Sequence, residues 1–298
     1  MSVESRTVTQ EAGSAADTSS DVRRPGLLRE ALRHRTIVVA GSVFVIVTLA
    51  AFIGPHFVGD PNRFSALDRL HGPSATHLFG TDNLGRDIAV RVLYGGRASL
   101  TVGFLVGALS VLIGALVGIA ASMYRAVDLV VMRVVDGIMS FPIIVLALSL
   151  MAIFGPGIGT VVLALVIVMV PSVARVVRGR ALVVSRLPMI DAARIAGAGR
   201  WRILLTYVLP HCLTPVMIQA GVVFTTAVLV ESSLSFIGAG LPPDVPSWGA
   251  SLAESRNYLQ TAWWMWLFPG LALLVTVLSA NIVIDGIRQI LDPRSVRS

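Results

Sequence analysis

The residues of this chain that could form a specific site lie in two polar stretches between long apolar runs. In residues 77–91, two acids are each followed four positions later by an arginine: Asp82 by Arg86, and Asp87 by Arg91. On a helix, residues four apart share a face, so each acid could pair with the arginine that follows it. The stretch offers neither a nucleophile with its base nor a set of metal ligands. By themselves these residues predict a solvated surface helix at the membrane interface and no catalytic or metal centre.

The second polar stretch begins at Pro188, which suits the first turn of a helix because its missing N–H costs nothing there. Asp191 then falls near the positive end of that helix. Ala192 and Ala193 give the helix a slim face that another protein could approach closely. Gly197 can take the left-handed conformation that ends a helix. The stretch predicts a short helix, a break at Gly197 and a second helix leading back into the membrane. The short helix would insert into a groove of a partner protein.

The composition identifies an integral membrane protein. Of the 298 residues, 55% are hydrophobic and only 14% are charged, whereas soluble domains carry roughly a quarter charged residues. The net charge is +7 and every basic residue is an arginine. The arginines flank apolar runs, so the positive-inside rule explains them better than nucleic-acid binding does. The single cysteine, Cys212, excludes an intrachain disulfide.

The chain contains no lysine. A P-loop needs a lysine to reach the nucleotide phosphates, so this chain cannot form one. If the protein takes part in ATP-driven transport, another chain must hydrolyse the ATP.

Six apolar runs each approach the roughly 20 residues that cross a bilayer. They are Thr36–Gly54, Ser99–Met123, Val127–Phe154, Ile158–Ala174, His211–Gly238 and Trp263–Ile287. Residues 1–35 are polar and predict a disordered tail. The first run is too long for a signal peptide and is interpreted as a retained span. Arginine density places both termini and the loop near 175–210 in the cytoplasm.

Few ionisable side chains interrupt the predicted spans. Asp136 follows Arg133 by three residues, which predicts an ion pair on one helix face. Glu231 and Asp285 are candidates for function as intramembrane carboxylates, but their positions near span ends favour a structural role. A series of mid-membrane acids or histidines, which an ion-coupled carrier would usually need, is not present. A carrier that works alone is therefore the weaker alternative.

The second stretch resembles the "EAA" loop of the membrane subunits of binding-protein-dependent ABC importers. That pattern has Glu-Ala-Ala, a glycine six positions after the acid, and Leu-Pro twelve further on. The matching residues here are Asp191, Ala192, Ala193, Gly197, Leu209 and Pro210. Asp191 replaces the usual glutamate, which keeps the charge and shortens its reach.

The first stretch resembles the "FGTD–LGRD–R–GxRxSL" signature of the C-type permease subunit of dipeptide, oligopeptide and nickel importers. Three further stretches agree in order: Phe141-Pro142, Glu231–Gly238 with Pro246-Ser247-Trp248-Gly249, and Asp285-Gly286 with Leu291–Arg294. The resemblance covers about His77 to Arg294 and leaves residues 1–35 outside. Three histidines share the loop that carries the signature, but their spacing matches no metal site: His56, His71 and His77.

The resemblance implies an all-α membrane protein with six transmembrane helices and the type I ABC importer permease fold, spanning residues 36–298 in the bacterial inner membrane. It implies a related B-type permease, two cytoplasmic ATPases that bind ATP and Mg, and an extracytoplasmic solute-binding protein, with no cofactor in this chain. The EAA-type residues would couple the ATPases to alternating access. Asp82, Arg86, Asp87 and Arg91 would seat the binding protein or gate the outer mouth. The substrate would be a dipeptide, an oligopeptide or a nickel complex.

Overall fold

The computed structural model describes residues 34–291, and in that range the chain forms helices and no strands. Most of the predicted N-terminal tail, residues 1–35, and the C-terminal Arg294 lie outside the described residues. The helices are α1 Arg35–Ile53, α2 Ile88–Met123, α3 Arg125–Met139, α4 Ile143–Phe154, α5 Ile158–Val184, α6 Pro188–Ile195, α7 Arg200–Ile203, α8 Leu209–Ile237, α9 Trp248–Ser255 and α10 Trp264–Leu291. A π-helical segment, Leu204–Val208, joins α7 to α8.

Five helical segments are long and apolar enough to cross a membrane: α1, α2, α5, α10 and the continuous segment from α7 through α8. The pair α3 and α4 makes a sixth candidate if it is counted as one span, but it is bent by 94°. The predicted span over 127–154 thus forms as two helices with a bend between them. The bend lies at Phe141-Pro142, where proline removes a backbone N–H and disfavours helical geometry in the residue before it.

Helix α2 occupies the centre of the bundle, and its glycines allow close contacts with two neighbours. A Cβ added at Gly103 would lie 2.6 Å from Val228 of α8, and one at Gly118 would lie 2.6 Å from the Ala174 carbonyl oxygen of α5. Small residues four apart let helix backbones approach to such distances. These close contacts fix α2 against α5 and α8.

Ion pairs join α3 to α5. Asp136 accepts a hydrogen bond from Arg175 at 2.6 Å, and Asp128 accepts one from the Arg178 Nη2 atom at 2.7 Å. The expected pair of Asp136 with Arg133 does not form, so that prediction was wrong. Because α5 runs beside α3, it brings Arg175 within reach of the Asp136 carboxylate.

Candidate coupling and docking sites

The loop at the arginine-rich end of the bundle, residues 185–210, is anchored by an apolar cluster, to which α6 contributes its one buried side chain. Ile190 of α6 is fully buried and belongs to an apolar cluster with Val184 of α5 and Ile203 of α7. Burying an isoleucine stabilises by roughly 1.5–3 kcal/mol relative to leaving it exposed. Ile190 therefore holds α6 against the bundle and fixes which of its faces points outward.

The outward face of α6 carries the residues that the sequence singled out. Asp191 and Ala192 are exposed, while Ala193 is half-buried against the apolar cluster. Asp191 accepts a hydrogen bond from Arg194 at 3.1 Å. Ile195, beside them, is 89% exposed. An exposed isoleucine next to small and charged residues suits a contact with another protein, and sequence reasoning had not identified it.

Gly197 ends α6 in the left-handed conformation, with φ of +82°. The Gly197 N–H donates to the Arg194 carbonyl at 3.0 Å, and the Ala198 N–H donates to the Ala193 carbonyl at 2.9 Å. This pair of bonds is the Schellman arrangement, which satisfies the last carbonyls of a helix. The expected break at Gly197 is confirmed, and the chain then turns into α7.

Leu209 and Pro210 lie where the loop re-enters the bundle, in the first turn of α8. The Leu209 N–H donates to the Leu204 carbonyl five residues earlier, which closes the π-helical segment. Pro210 has no N–H for the carbonyl four residues before it, so the ordinary ladder is interrupted there. The two residues thus set the helical path and lie apart from the exposed face of α6.

At the other end of α2, the four charged residues of the first stretch do not form a solvated helix. Asp82, Arg86 and Arg91 are all buried. The Arg86 Nε atom donates to Asp82 at 2.5 Å, and its Nη2 atom donates to Glu254 at 2.6 Å. Arg91 donates to the other oxygen of Glu254 at 3.0 Å. Asp82, Arg86 and Arg91 together with the half-buried Glu254 form an ionic cluster, called the buried ionic cluster below. It ties the loop to the end of α9.

Asp87 has a separate role. It is the N-cap of α2 and accepts backbone hydrogen bonds from Ala89 at 2.8 Å and Val90 at 3.2 Å. Its other oxygen lies 2.8 Å from the Nδ1 atom of His77. The helix begins only at Ile88, so the predicted pairing of Asp87 with Arg91 on one helix was wrong.

Two tryptophans fasten the same region through their indole N–H groups. Trp264 donates to the Thr81 carbonyl and Trp248 donates to the Val92 carbonyl, each at 3.0 Å. Although Asp82 and Arg86 are turned inward, the 54–87 loop exposes several apolar side chains alongside its exposed charges. Phe57, Leu67 and Leu78 are each more than two-thirds exposed. Neither Glu254 nor these apolar residues were identified from the sequence as part of this site.

Glu231 lies in α8 and is fully buried. Its carboxylate accepts hydrogen bonds from Ser235 at 2.8 Å and Ser232 at 3.3 Å. Hydroxyl donors of this kind satisfy a buried carboxylate. Within residues 34–291, no three His, Cys, Asp or Glu side chains group as metal ligands.

These features define a polytopic helical membrane protein with an exposed, capped helix at one end and a buried ionic cluster at the other. Residues 78–297 match the family described as "Binding-protein-dependent transport system inner membrane component". The chain belongs to this family, and it is the permease subunit of an ABC importer rather than a catalytic chain.

Several relatives are peptide-type permeases by name. The chain is 45% identical over 267 residues to a putative peptide transport system permease protein of Brucella abortus, covering 89% of this chain and 90% of that one. It is 39% identical to a di/tripeptide transport system permease protein of Pseudomonas aeruginosa, with coverage of 89% and 90%. It is 37% identical to a probable D,D-dipeptide transport system permease protein of Escherichia coli, again covering 89% and 90%.

Among solved structures, the chain is similar to a subunit of the MetNI methionine ABC transporter in an inward-facing conformation. The TM-score is 0.55 at 21% identity, covering 68% of this chain and 97% of that chain. At this identity the likeness supports the fold alone, which is the type I ABC importer permease fold expected from the sequence.

Proposed function

We propose that this chain is the C-type permease of an ATP-driven importer that moves dipeptides or oligopeptides inward by alternating access. The names of its relatives support a peptide substrate over the nickel complex. The proposed complex contains a related B-type permease, two cytoplasmic ATPases with ATP and Mg, and an extracytoplasmic solute-binding protein. Both termini and the 185–210 loop face the cytoplasm in this proposal, following the arginine distribution.

The observation that carries the proposal is the exposed face of α6, held from behind by Ile190 and ended by Gly197. A docking helix must present one face outward and resist rotation when its partner moves. Burial of Ile190 supplies the resistance, and the Schellman cap fixes the length of the helix. We assign Asp191, Ala192 and Ile195 to the ATPase contact. Ala193, Gly197, Leu209 and Pro210 position them.

We assign an indirect role to the charged residues of the 54–87 loop and its boundary with α2. Asp82, Arg86 and Arg91 are buried, so their side chains are not available to a binding protein. With Asp87 they hold the loop in one conformation, and the loop presents Phe57, Leu67 and Leu78 at its surface. We propose that this apolar surface, positioned by the cluster, seats the binding protein or closes the outer mouth.

The test of coupling is Gly197→Val. A non-glycine residue in the left-handed region costs about 1–2 kcal/mol, and a branched Cβ makes it worse. No atom lies within 4 Å of a Cβ added at Gly197, so the cost is conformational and not steric. We expect an inserted chain that retains less ATPase on co-purification and loses peptide uptake in vesicles.

Two further variants make the result specific. Gly199→Val places the same side chain two residues away, where φ is −69° and the space is also open, and it should behave like the parent chain. Gly197→Asn should recover much of the uptake, because asparagine tolerates the left-handed region better than other side chains. Full association and full uptake by Gly197→Val would show that α6 is not the coupling element.

A further inference from the structure

A cavity of about 480 Å³ lies behind α6 at the arginine-rich end of the bundle. The ends of α2 and α5 form part of its wall through Ser122, Met123 and Ser185. The π-helical segment forms another part through Leu204 and Val208. Segments of π-helix occur frequently at functional sites, because the widened turn displaces side chains from ordinary helical positions. The cavity is thus bounded by α2, α5, the loop helices and the π-helical segment.

The cavity is positively charged at its rim. Arg194 and Arg200 both line it. The Arg194 Nη1 atom donates to Asp191 at 3.1 Å, and the other N–H groups of this guanidinium remain available to a ligand. Among the described residues, the Arg200 guanidinium has no hydrogen-bond or ion-pair partner. Guanidinium groups with free donors favour phosphate oxygens as ligands, and both arginines line the same cavity.

Apart from Ser122 and Ser185, the rest of the lining is apolar, including Met123, Ile203, Leu204 and Val208. A soluble phosphate would leave these side chains without a partner. A phosphate that carries an acyl chain would satisfy both parts, because its headgroup would meet the arginines and its glycerol and first methylenes would meet the apolar wall.

The position of the cavity along the membrane normal matches the depth at which lipid headgroups lie. The sequence of α2 carries no ionisable residue from Ala98 to Met123, and Ser122 and Met123 lie at the end of that uncharged run. Beside the cavity, Trp201 is 65% exposed between Arg200 and Arg202. Tryptophan and arginine together are enriched where hydrocarbon meets headgroups.

We propose that this cavity binds an anionic phospholipid, with its phosphate held by Arg194 and Arg200. Because Arg194 belongs to α6 and Arg200 to α7, a bound lipid would link both sides of the Gly197 break to the ends of α2 and α5. Bound lipid would therefore stiffen the loop on which α6 is carried. The inference does not depend on the identity of the transported substrate.

The experiment measures lipid binding to the purified full-length chain by native mass spectrometry. The probes are phosphatidylglycerol, which is anionic, phosphatidylcholine, which is zwitterionic, and glycerol 1-phosphate as the soluble phosphate. We expect retained phosphatidylglycerol, little phosphatidylcholine and no competition by glycerol 1-phosphate. In Arg194→Gln/Arg200→Gln, the apparent affinity for phosphatidylglycerol should fall about tenfold or more.

The control variant Arg125→Gln/Arg133→Gln removes the same charge from α3 without touching the cavity, and it should bind phosphatidylglycerol like the parent chain. Arg194→Lys/Arg200→Lys keeps the charge and should retain most of the binding, which guards against a folding defect in the glutamine variant. Equal losses in the cavity and α3 variants, equal retention of the two lipids, or competition by glycerol 1-phosphate would each overturn the proposal.

Discussion

The ionic cluster between the 54–87 loop and α9 yields a quantitative prediction for Glu254→Gln. Glu254 bridges Arg86 at 2.6 Å and Arg91 at 3.0 Å, and Asp82 is the only other carboxylate in the cluster. With Glu254 present, two acids balance two arginines. Without its charge, two buried arginines share one acid, so the variant carries an uncompensated positive charge in a low-dielectric site.

Breaking a fully buried ion pair costs about 3–5 kcal/mol, because the remaining charge stays desolvated. The Glu254 side chain is 33% exposed, so water screens part of that charge. We therefore expect Glu254→Gln to lower the free energy of unfolding by about 2–3 kcal/mol. The second variant, Arg91→Met/Glu254→Gln, restores the charge balance, because Arg86 and Asp82 remain as a pair. Its loss of unfolding free energy should be about 1–3 kcal/mol smaller than the sum of the losses caused by Arg91→Met alone and Glu254→Gln alone.

The assay is thermal unfolding of the purified chain in detergent, followed for the parent, both single variants and the double variant. A loss of 1 kcal/mol corresponds to roughly 2–4 °C in a domain of this general size, so Glu254→Gln should lower Tm by about 4–12 °C. Arg97→Met is the matched control, since Arg97 is exposed on the same helix and has no ion-pair partner among the described residues. Strictly additive effects of Arg91→Met and Glu254→Gln would refute the cluster as an energetic unit.

Two further predictions concern packing and topology. Gly249→Ala should destabilise the chain by about 1–3 kcal/mol, because its Cβ would lie 2.2 Å from the Ser232 carbonyl oxygen, whereas Gly159→Ala meets no atom within 4 Å and should be neutral in the same unfolding assay. Cysteines introduced at Ser65 and Ser185 should react with membrane-impermeant reagents from opposite sides of the membrane, because the two loops lie at opposite ends of α2. Labelling of both cysteines from one side would contradict the six-span topology.

Much of this protein follows from the sequence because the relevant physics is local. Hydropathy over about 20 residues marks a span whatever its neighbours are. The end of α6 at Gly197 was equally predictable, because the left-handed conformation is an intrinsic preference of glycine. The bend at Phe141-Pro142 has a local cause as well, because proline lacks the helical N–H and restricts the residue before it.

The spacing of four correctly indicated the Asp82–Arg86 pair, but only the tertiary structure decided the partners of Asp87, Arg91 and Asp136. Asp87 and Asp136 each had an arginine at helical spacing, yet Asp87 caps α2 and Asp136 binds Arg175. Arg91 pairs with Glu254, which lies 163 residues away in sequence. The physical reason is desolvation. A charge removed from water must pair with whichever opposite charge the packed helices bring within reach, and helix packing is not written in the spacing of the charged residues themselves.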